Sequence, residues 1–241
     1  LALNAAEKAV NSMKRVKVDL PDKMMVILRP QAFVELFDYT YGAALSGRNY
    51  VNRSSPFKDK LGESIAPECL TVYDDPLIPG KMGSLPFDGE GATIRRKKVI
   101  DNGVLRTFLF NHYYASIAGV ETTGNASRSS YTGTPGIAWT NIVIEPGDVG
   151  LGELMEEGGF ILVNRIQGVF NAKYSTGDYG GVGSPAWLVK KGGETVSLGV
   201  VSVSGNIYRD LMENCIKTKD VYDGPSCRVP WIGFNAKVAP I

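Results

Sequence analysis

Thr93-Ile94-Arg95-Arg96-Lys97-Lys98-Val99-Ile100-Asp101-Asn102-Gly103-Val104-Leu105-Arg106-Thr107-Phe108-Leu109-Phe110 is the stretch whose reading decides the fold. Asn102-Gly103 tolerates the positive φ angles of a type I′ turn, so residues 93–100 and 104–110 are expected to pair as a β-hairpin. Working outward, residues 70–73 read as a strand ending at Asp74-Asp75-Pro76, and residues 112–118 as a short helix. Further strands are expected over 141–145, 160–167, 186–190 and 195–204, the last two joined at Gly192-Gly193. A helix over 207–215 precedes a closing strand around 228–238. Toward the amino terminus, residues 24–28 form an apolar run that reads as a buried strand. Pro30 suits the first turn of a helix carrying Phe33, Leu36, Phe37 and Tyr41 at helical spacing as far as about residue 45. Residues 1–15 set Ala5, Ala6, Ala9, Val10 and Met13 on one side of another helix. The polar stretch 46–64 reads as loop. The expected class is α+β, β-dominated: a largely antiparallel sheet with a few peripheral helices.

The chain has 241 residues, 28 of them glycine in short punctuating groups, as many turns between strands require. No linker rich in Pro, Gly or Ser divides it, so residues 1–241 are expected to be one domain, with 1–47 as a helix-strand-helix entry segment and 48–241 as a β-rich core. Lys plus Arg number 26 against 25 Asp plus Glu, so the overall field gives no reason to expect nucleic acid or a membrane surface as partner. The one basic run, Arg95 to Lys98, reads as a solvated strand edge whose charge blocks unwanted pairing. No apolar run approaches the roughly 18 residues of a membrane span, and no secretory segment is visible. Cys69, Cys215 and Cys227 are widely spaced, odd in number and without a CxxC, so neither a disulfide framework nor a structural zinc site is encoded. Each is expected to behave as a small buried hydrophobe, and a cytoplasmic location fits.

Catalysis is constrained by the single histidine, His112. It excludes every two-histidine metal site, and a nucleophile-histidine pair would have to use it without a GxSxG elbow or a cysteine nearby in sequence. His112 therefore reads as a structural or surface residue, with a hydrolase built on it and one cysteine as the rival. The glycine-rich pieces 119–124 and 177–183 give neither GxxxxGK[ST] nor a GxGxxG between strand and helix, which argues against nucleotide binding.

A series of phrases in fixed order carries more. Asp74-Asp75-Pro76 is followed by Pro79-Gly80 and Gly83-Ser84, then Phe87-Asp88-Gly89-Glu90-Gly91 and Val99-Ile100-Asp101-Asn102-Gly103-Val104-Leu105. Next come Thr123-Gly124-Asn125-Ala126 with Arg128, then Thr140-Asn141-Ile142, Ser175-Thr176-Gly177-Asp178-Tyr179 and Ser204-Gly205-Asn206-Ile207. In this order they resemble the TldD/PmbA peptidase family, also described as modulators of DNA gyrase, in its PmbA-type (TldE-like) form. The resemblance implies an amino-terminal α/β domain followed by a β-rich carboxy-terminal one, of which this chain corresponds to the second, the amino-terminal domain being absent from it. It also implies a heterodimer of a TldD-type and a PmbA-type subunit, the former a zinc-dependent peptidase of unfolded or extended peptides.

TldD-type members carry HExxxH on a helix followed by a Leu-x-Gly segment. Counting back from Leu45-Ser46-Gly47 lays that motif over residues 38–43, so Asp38, Tyr39 and Ala43 stand where the resemblance expects His, Glu and His. Asp38 alone supplies at most one oxygen ligand, so no catalytic residue and no cofactor are expected here, zinc being expected only in a TldD-type partner. An i, i+5 pair lies about 140° apart on an ideal helix, so the motif needs a helix end or bulge, for which Gly42 would serve. Cys227 invites comparison with the family's cysteine ligand, but reads as part of the closing strand. Asn125, Arg128, Asn141, Thr176 and Asp178 fall in the family-like phrases. They are candidates to line or shape a groove for an extended peptide added as a strand, although the same residue types are what tight turns require. The sequence thus leads to a non-catalytic subunit paired with a TldD-type partner or with itself; a stand-alone peptide-binding or regulatory protein is the alternative.

Overall fold

The apolar run before Pro30 and the proline itself set the first two elements. The computed structural model describes Val16 and residues 18–241. The helix expected over residues 1–15 lies outside them. Strand β1 (Lys23–Leu28) runs into helix α1 (Pro30–Phe37), whose first turn is occupied by Pro30, where a missing N–H costs nothing. The helix continues through a π-helical turn, Asp38–Gly42, and is followed by α2 (Gly47–Val51). Then come β2 (Val72–Asp74), β3 (Lys97–Asp101), β4 (Val104–Leu105), α3 (His112–Ala118), β5 (Ala126–Ser127), β6 (Gly136–Ile137) and β7 (Ile142–Ile144). Helix α4 (Leu151–Glu157) leads to β8 (Phe160–Val163), β9 (Ile166–Gln167), β10 (Asp178–Val189) and β11 (Thr195–Asn206). Helix α5 (Ile207–Glu213), β12 (Cys215–Asp223) and β13 (Cys227–Pro240) complete the chain.

One sheet takes the order β1-β8-β10-β11-β13-β7-β2-β3-β4, with β9 on β10 and β12 on β13. Because β1 pairs with both β8 and β13, the first five of these strands close on themselves and leave no free edge in that part. Pairing is antiparallel except between β1 and β8 and between β13 and β7, as expected for a β-dominated α+β fold. Val26, Leu28, Val163, Val201, Val203 and Phe234 are buried in the core. Against the sheet, α1 buries Phe33, Leu36 and Phe37. The rings continue as stacked pairs, Phe37 on Tyr41 at 5.4 Å and Tyr41 on Phe57 at 5.6 Å. Pairs of this kind contribute roughly 0.5–1.5 kcal/mol beyond area burial, so the helical entry is held firmly.

The hairpin forms as its turn demands, with φ of 48° at Asn102 and 77° at Gly103. Its arms are shorter than expected. Beyond Arg106, whose N–H still donates to Val99, the chain leaves the ladder and Leu109 bonds instead to Leu45 and Gly47 at the start of α2. Competition from that tertiary contact ends the strand. The basic run is solvated at Arg95, Arg96 and Lys98, which are exposed, but it does not form a sheet edge. Strand β3 lies between β2 and β4, Lys97 is a buried partner of Asp74 at 2.7 Å, and Arg96 lies over the Tyr73 ring at 4.0 Å. Helix α2 inside the polar stretch, α4, strands β5 and β6, the glycine-rich first half of β10, and β12 were not legible in the sequence. In the last, a register shift between Lys217 and Val221 breaks the alternation that marks a strand.

Candidate functional site

The π-helical turn lines a wide cleft. Thr40 donates its hydroxyl back to the Leu36 carbonyl at 2.6 Å, and Tyr41 is anchored from its ring stack by a 3.0 Å bond to the Ile65 carbonyl. The Ala43 N–H reaches the Asp38 carbonyl, an i→i+5 bond. That bond stacks residues 38 and 43 on one side of the helix, where an ordinary helix would separate them. Asp38, Tyr39, Gly42 and Ala43 all line a cleft of 1360 Å³. At Gly42 a side chain would meet the Asp38 carboxylate at 2.8 Å and the Trp139 indole nitrogen at 3.1 Å. Only glycine leaves these two groups room to face the cleft.

The Asp38 carboxyl has a solvent-open face but is crowded by the concave wall. That burial raises its pKa, with no neighbouring charge contributing. Cys227, the first residue of β13, also lines the cleft, and burial pushes its thiol up. It therefore belongs to the closing strand and faces the same space as Asp38.

The opposite wall is residues 134–140, including β6. Trp139 donates to the Gly42 carbonyl at 3.4 Å and packs edge-on against Phe37 at 5.7 Å. In the β5–β6 pair, Ala138 donates to Asn125, so the alternation of antiparallel bonds turns the Ile137 N–H and C=O away from β5, onto the open edge. Three polar side chains pin this wall from behind. Asn111 donates to the Pro135 carbonyl at 3.1 Å, and Asn125 donates to the Ala138 carbonyl at 2.9 Å. Asp74, fully buried, accepts from the Thr140 N–H and hydroxyl at 2.6 Å each and from Asn125 and Lys97 at 2.7 Å each.

None of the five groove candidates is among the residues that line the cleft. Asn125 shapes it, by holding Ala138 and Asp74. Buried Asn141 ties the 75–84 loop, donating to Asp75 and Ser84 and accepting from the Gly83 N–H. Exposed Arg128 clamps the carbonyls of Gly89 and Gly133 at 2.7 Å each. Thr176 and Asp178 form a turn with Asn206, whose amide, followed by the Thr176 hydroxyl, holds the Asp178 carboxyl below its usual range. His112 opens α3 with its side chain exposed, outside the cleft lining. The cysteines do not behave alike: Cys227 is buried, Cys215 half-buried and Cys69 exposed, so burial was the wrong expectation for Cys69. Sequence reasoning missed Trp139 and Ile137 as cleft residues and read Asp74 as a strand end and part of a family-like phrase, without a site role. The available signal was Lys97, which sits opposite Asp74 once β2 is laid against the hairpin.

The donor set at the helical turn does not fit zinc. The turn offers a single carboxylate, a phenol and a methyl group, with neither imidazole nor thiolate, and no cluster of three His, Cys, Asp or Glu side chains occurs among the described residues. A closed β-sheet thus faces a helix whose i→i+5 turn opens onto the cleft. The family profile described as PmbA/TldA metallopeptidase C-terminal domain matches residues 21–239. A metalloprotease of Methanocaldococcus jannaschii is 33% identical over 223 residues, covering 91% of this chain and 48% of the relative. A metalloprotease PmbA homolog of Haemophilus influenzae is 26% identical, covering 90% and 45%. Among solved structures, TldE from Thermococcus kodakarensis superposes with a TM-score of 0.88 at 31% identity, covering 98% of this chain and 54% of that one. A Thermotoga maritima protein proposed to modulate a DNA gyrase gives 0.85 at 28%, covering 98% and 54%. The chain belongs to the PmbA/TldD metallopeptidase-related family. It spans about half the length of these relatives.

Proposed function

We propose that these residues are the C-terminal domain of a PmbA/TldE-like, non-catalytic subunit of a TldD/PmbA-type metallopeptidase assembly. The carrying observation is the helical turn: the backbone places residues 38 and 43 together on the cleft, while their side chains, Asp38 and Ala43, cannot hold a peptidase metal. The TldE likeness supports a subunit role; in this reading zinc would be supplied by a TldD-type partner. The cleft would receive an extended peptide. The open edge at Ile137 offers one donor and one acceptor for strand addition, and Tyr39, Trp139 and Tyr174 offer surface for side chains. Asn125 and Asn141 would shape the cleft, with Arg128, Thr176 and Asp178 holding loops around it.

Purified protein should retain no stoichiometric zinc and cleave no unfolded peptide alone. Co-expression with a TldD-type subunit from the same host should yield a stable complex that does cleave. One zinc per chain with chelator-sensitive cleavage would overturn the non-catalytic role. Peptide binding without any TldD-type partner in pull-downs from the host would favour a stand-alone regulatory binder. No helix among the described residues is long and apolar enough to cross a membrane, and fractionation with cytoplasmic markers is the outcome this reading expects.

A further inference from the structure

Away from the cleft, the loop before β2 brings Cys69 against Cys215, the first residue of β12, across 146 positions of sequence. The Cys69 thiol reaches the Cys215 carbonyl at 4.0 Å, which sets the two cysteines side by side. Cys69 is exposed and Cys215 half-buried, so one sulfur meets solvent and the other lies behind it. Lys217, two residues along β12, spends its ammonium on the carbonyls of Glu145 and Pro146, and no carboxylate is among those partners. A positive charge neutralised only by carbonyl dipoles favours an anion nearby. We propose that Cys69 and Cys215 are a thiol modification site, in which Cys69 is the reactive thiol toward low-molecular-weight disulfides and Cys215 resolves the adduct into an intramolecular disulfide.

The chemistry balances with glutathione disulfide as oxidant. The Cys69 thiolate attacks one glutathione sulfur, the glutathione S–S bond breaks, and one glutathione leaves with the electron pair and takes up a proton. Cys215 then loses its proton to solvent and attacks the Cys69 sulfur, releasing the second glutathione. Two protein thiols are oxidised and one glutathione disulfide is reduced to two thiols. The environment suits each role. The neighbouring Cys215, with help from Lys217, lowers the Cys69 thiol to about 6, while Cys215 is pushed far up, first by Cys69 itself. Once Cys69 carries glutathione, its thiolate no longer opposes ionisation of Cys215, and Lys217 remains to favour it. Exposure, thiolate character and a neighbouring resolving cysteine are the combination that makes a thiol oxidant-sensitive.

The test treats the reduced chain with glutathione disulfide and follows intact mass and the peptide map. The wild type should lose two hydrogens and yield a peptide linking Cys69 to Cys215. Cys215→Ser should stop at a glutathione adduct on Cys69, Cys69→Ser should give neither adduct nor link, and Cys227→Ser should behave as wild type. Alkylation of Cys69 in the Cys215→Ser and Cys227→Ser double variant, compared with the Cys227→Ser single variant, should shift its pH midpoint upward when the Cys215 thiol is removed. A wild-type adduct that persists on Cys69 without the link, an adduct arising first on Cys215 or Cys227, or no reaction at all would each overturn the assignment. Unchanged circular dichroism of the serine variants separates loss of chemistry from loss of fold.

Discussion

Asp74 Oδ1 accepts both the backbone N–H and the hydroxyl of Thr140, each at 2.6 Å, which ties a strand of the main sheet to the wall of the cleft. Its other oxygen holds Lys97 and Asn125. One fully buried carboxylate thus satisfies four donors and fixes where residues 138–140 run.

Asp74→Ala leaves the Lys97 ammonium, only 9% exposed, without its counter-charge. Removing one partner of a buried pair costs about 3–5 kcal/mol. Urea denaturation should show a loss of that order, with Asp74→Asn intermediate because the amide keeps an acceptor. A loss under 1 kcal/mol, taken as about the value of a surface pair, would show that the network is not structural.

Ile137→Pro removes the N–H on the open edge of β6 but none of the bonds to β5. A net hydrogen bond is worth about 0.5–1.5 kcal/mol, so affinity for an extended peptide should fall by up to about tenfold. Fluorescence anisotropy with a labelled unfolded peptide reads this directly. Equal affinity for the two proteins would remove strand addition at Ile137 from the proposal.

Burial raises the Asp38 pKa. The fold therefore prefers the protonated form. Its contribution is fully present below the unfolded value, near 3.9, and is lost as pH rises through the folded value. Asp38→Asn should match the wild type in acid and become the more stable protein toward neutral pH. Because the carboxyl keeps an open face, the gain should stay below about 1 kcal/mol. Paired urea titrations across the acid range test the sign, and a difference independent of pH would contradict it.

Gly103 combines φ of 77° with a backbone neighbour, since a side chain there would overlap the Ala66 carbonyl. Gly192, at φ of 83°, faces open space. Gly192→Ala should cost about 1 kcal/mol, from strain alone, and Gly103→Ala more, up to about 3 kcal/mol. Thermal unfolding of the two variants should rank them in that order.

Short-range chemistry was open to direct reading. Asn102-Gly103 specifies its turn because positive φ at both positions is a property of those two residues alone. Pro30 and the apolar spacing to Tyr41 specify the helix, and the phrase series from Asp74 to Ile207 led to the family. Strand β10 shows where local reading stops. Its glycines look like turn residues, yet Gly181 is small because a side chain would overlap the Gln167 carbonyl on β9. That requirement comes from a neighbouring strand, and no pattern within residues 178–189 records it.

By itself the sequence determined the turn, the first helix, the predominance of strands and the absence of imidazole at positions 38 and 43, all consequences of residue identity and near spacing. Tertiary structure decided that the Asp38–Gly42 turn winds as a π-helix onto a cleft, that Asp74 and Lys97 are buried together, and that Cys69 meets Cys215. The last two are meetings of groups apart in the chain, made by the pairing of β2 with β3 and by the loop before β2 lying against β12.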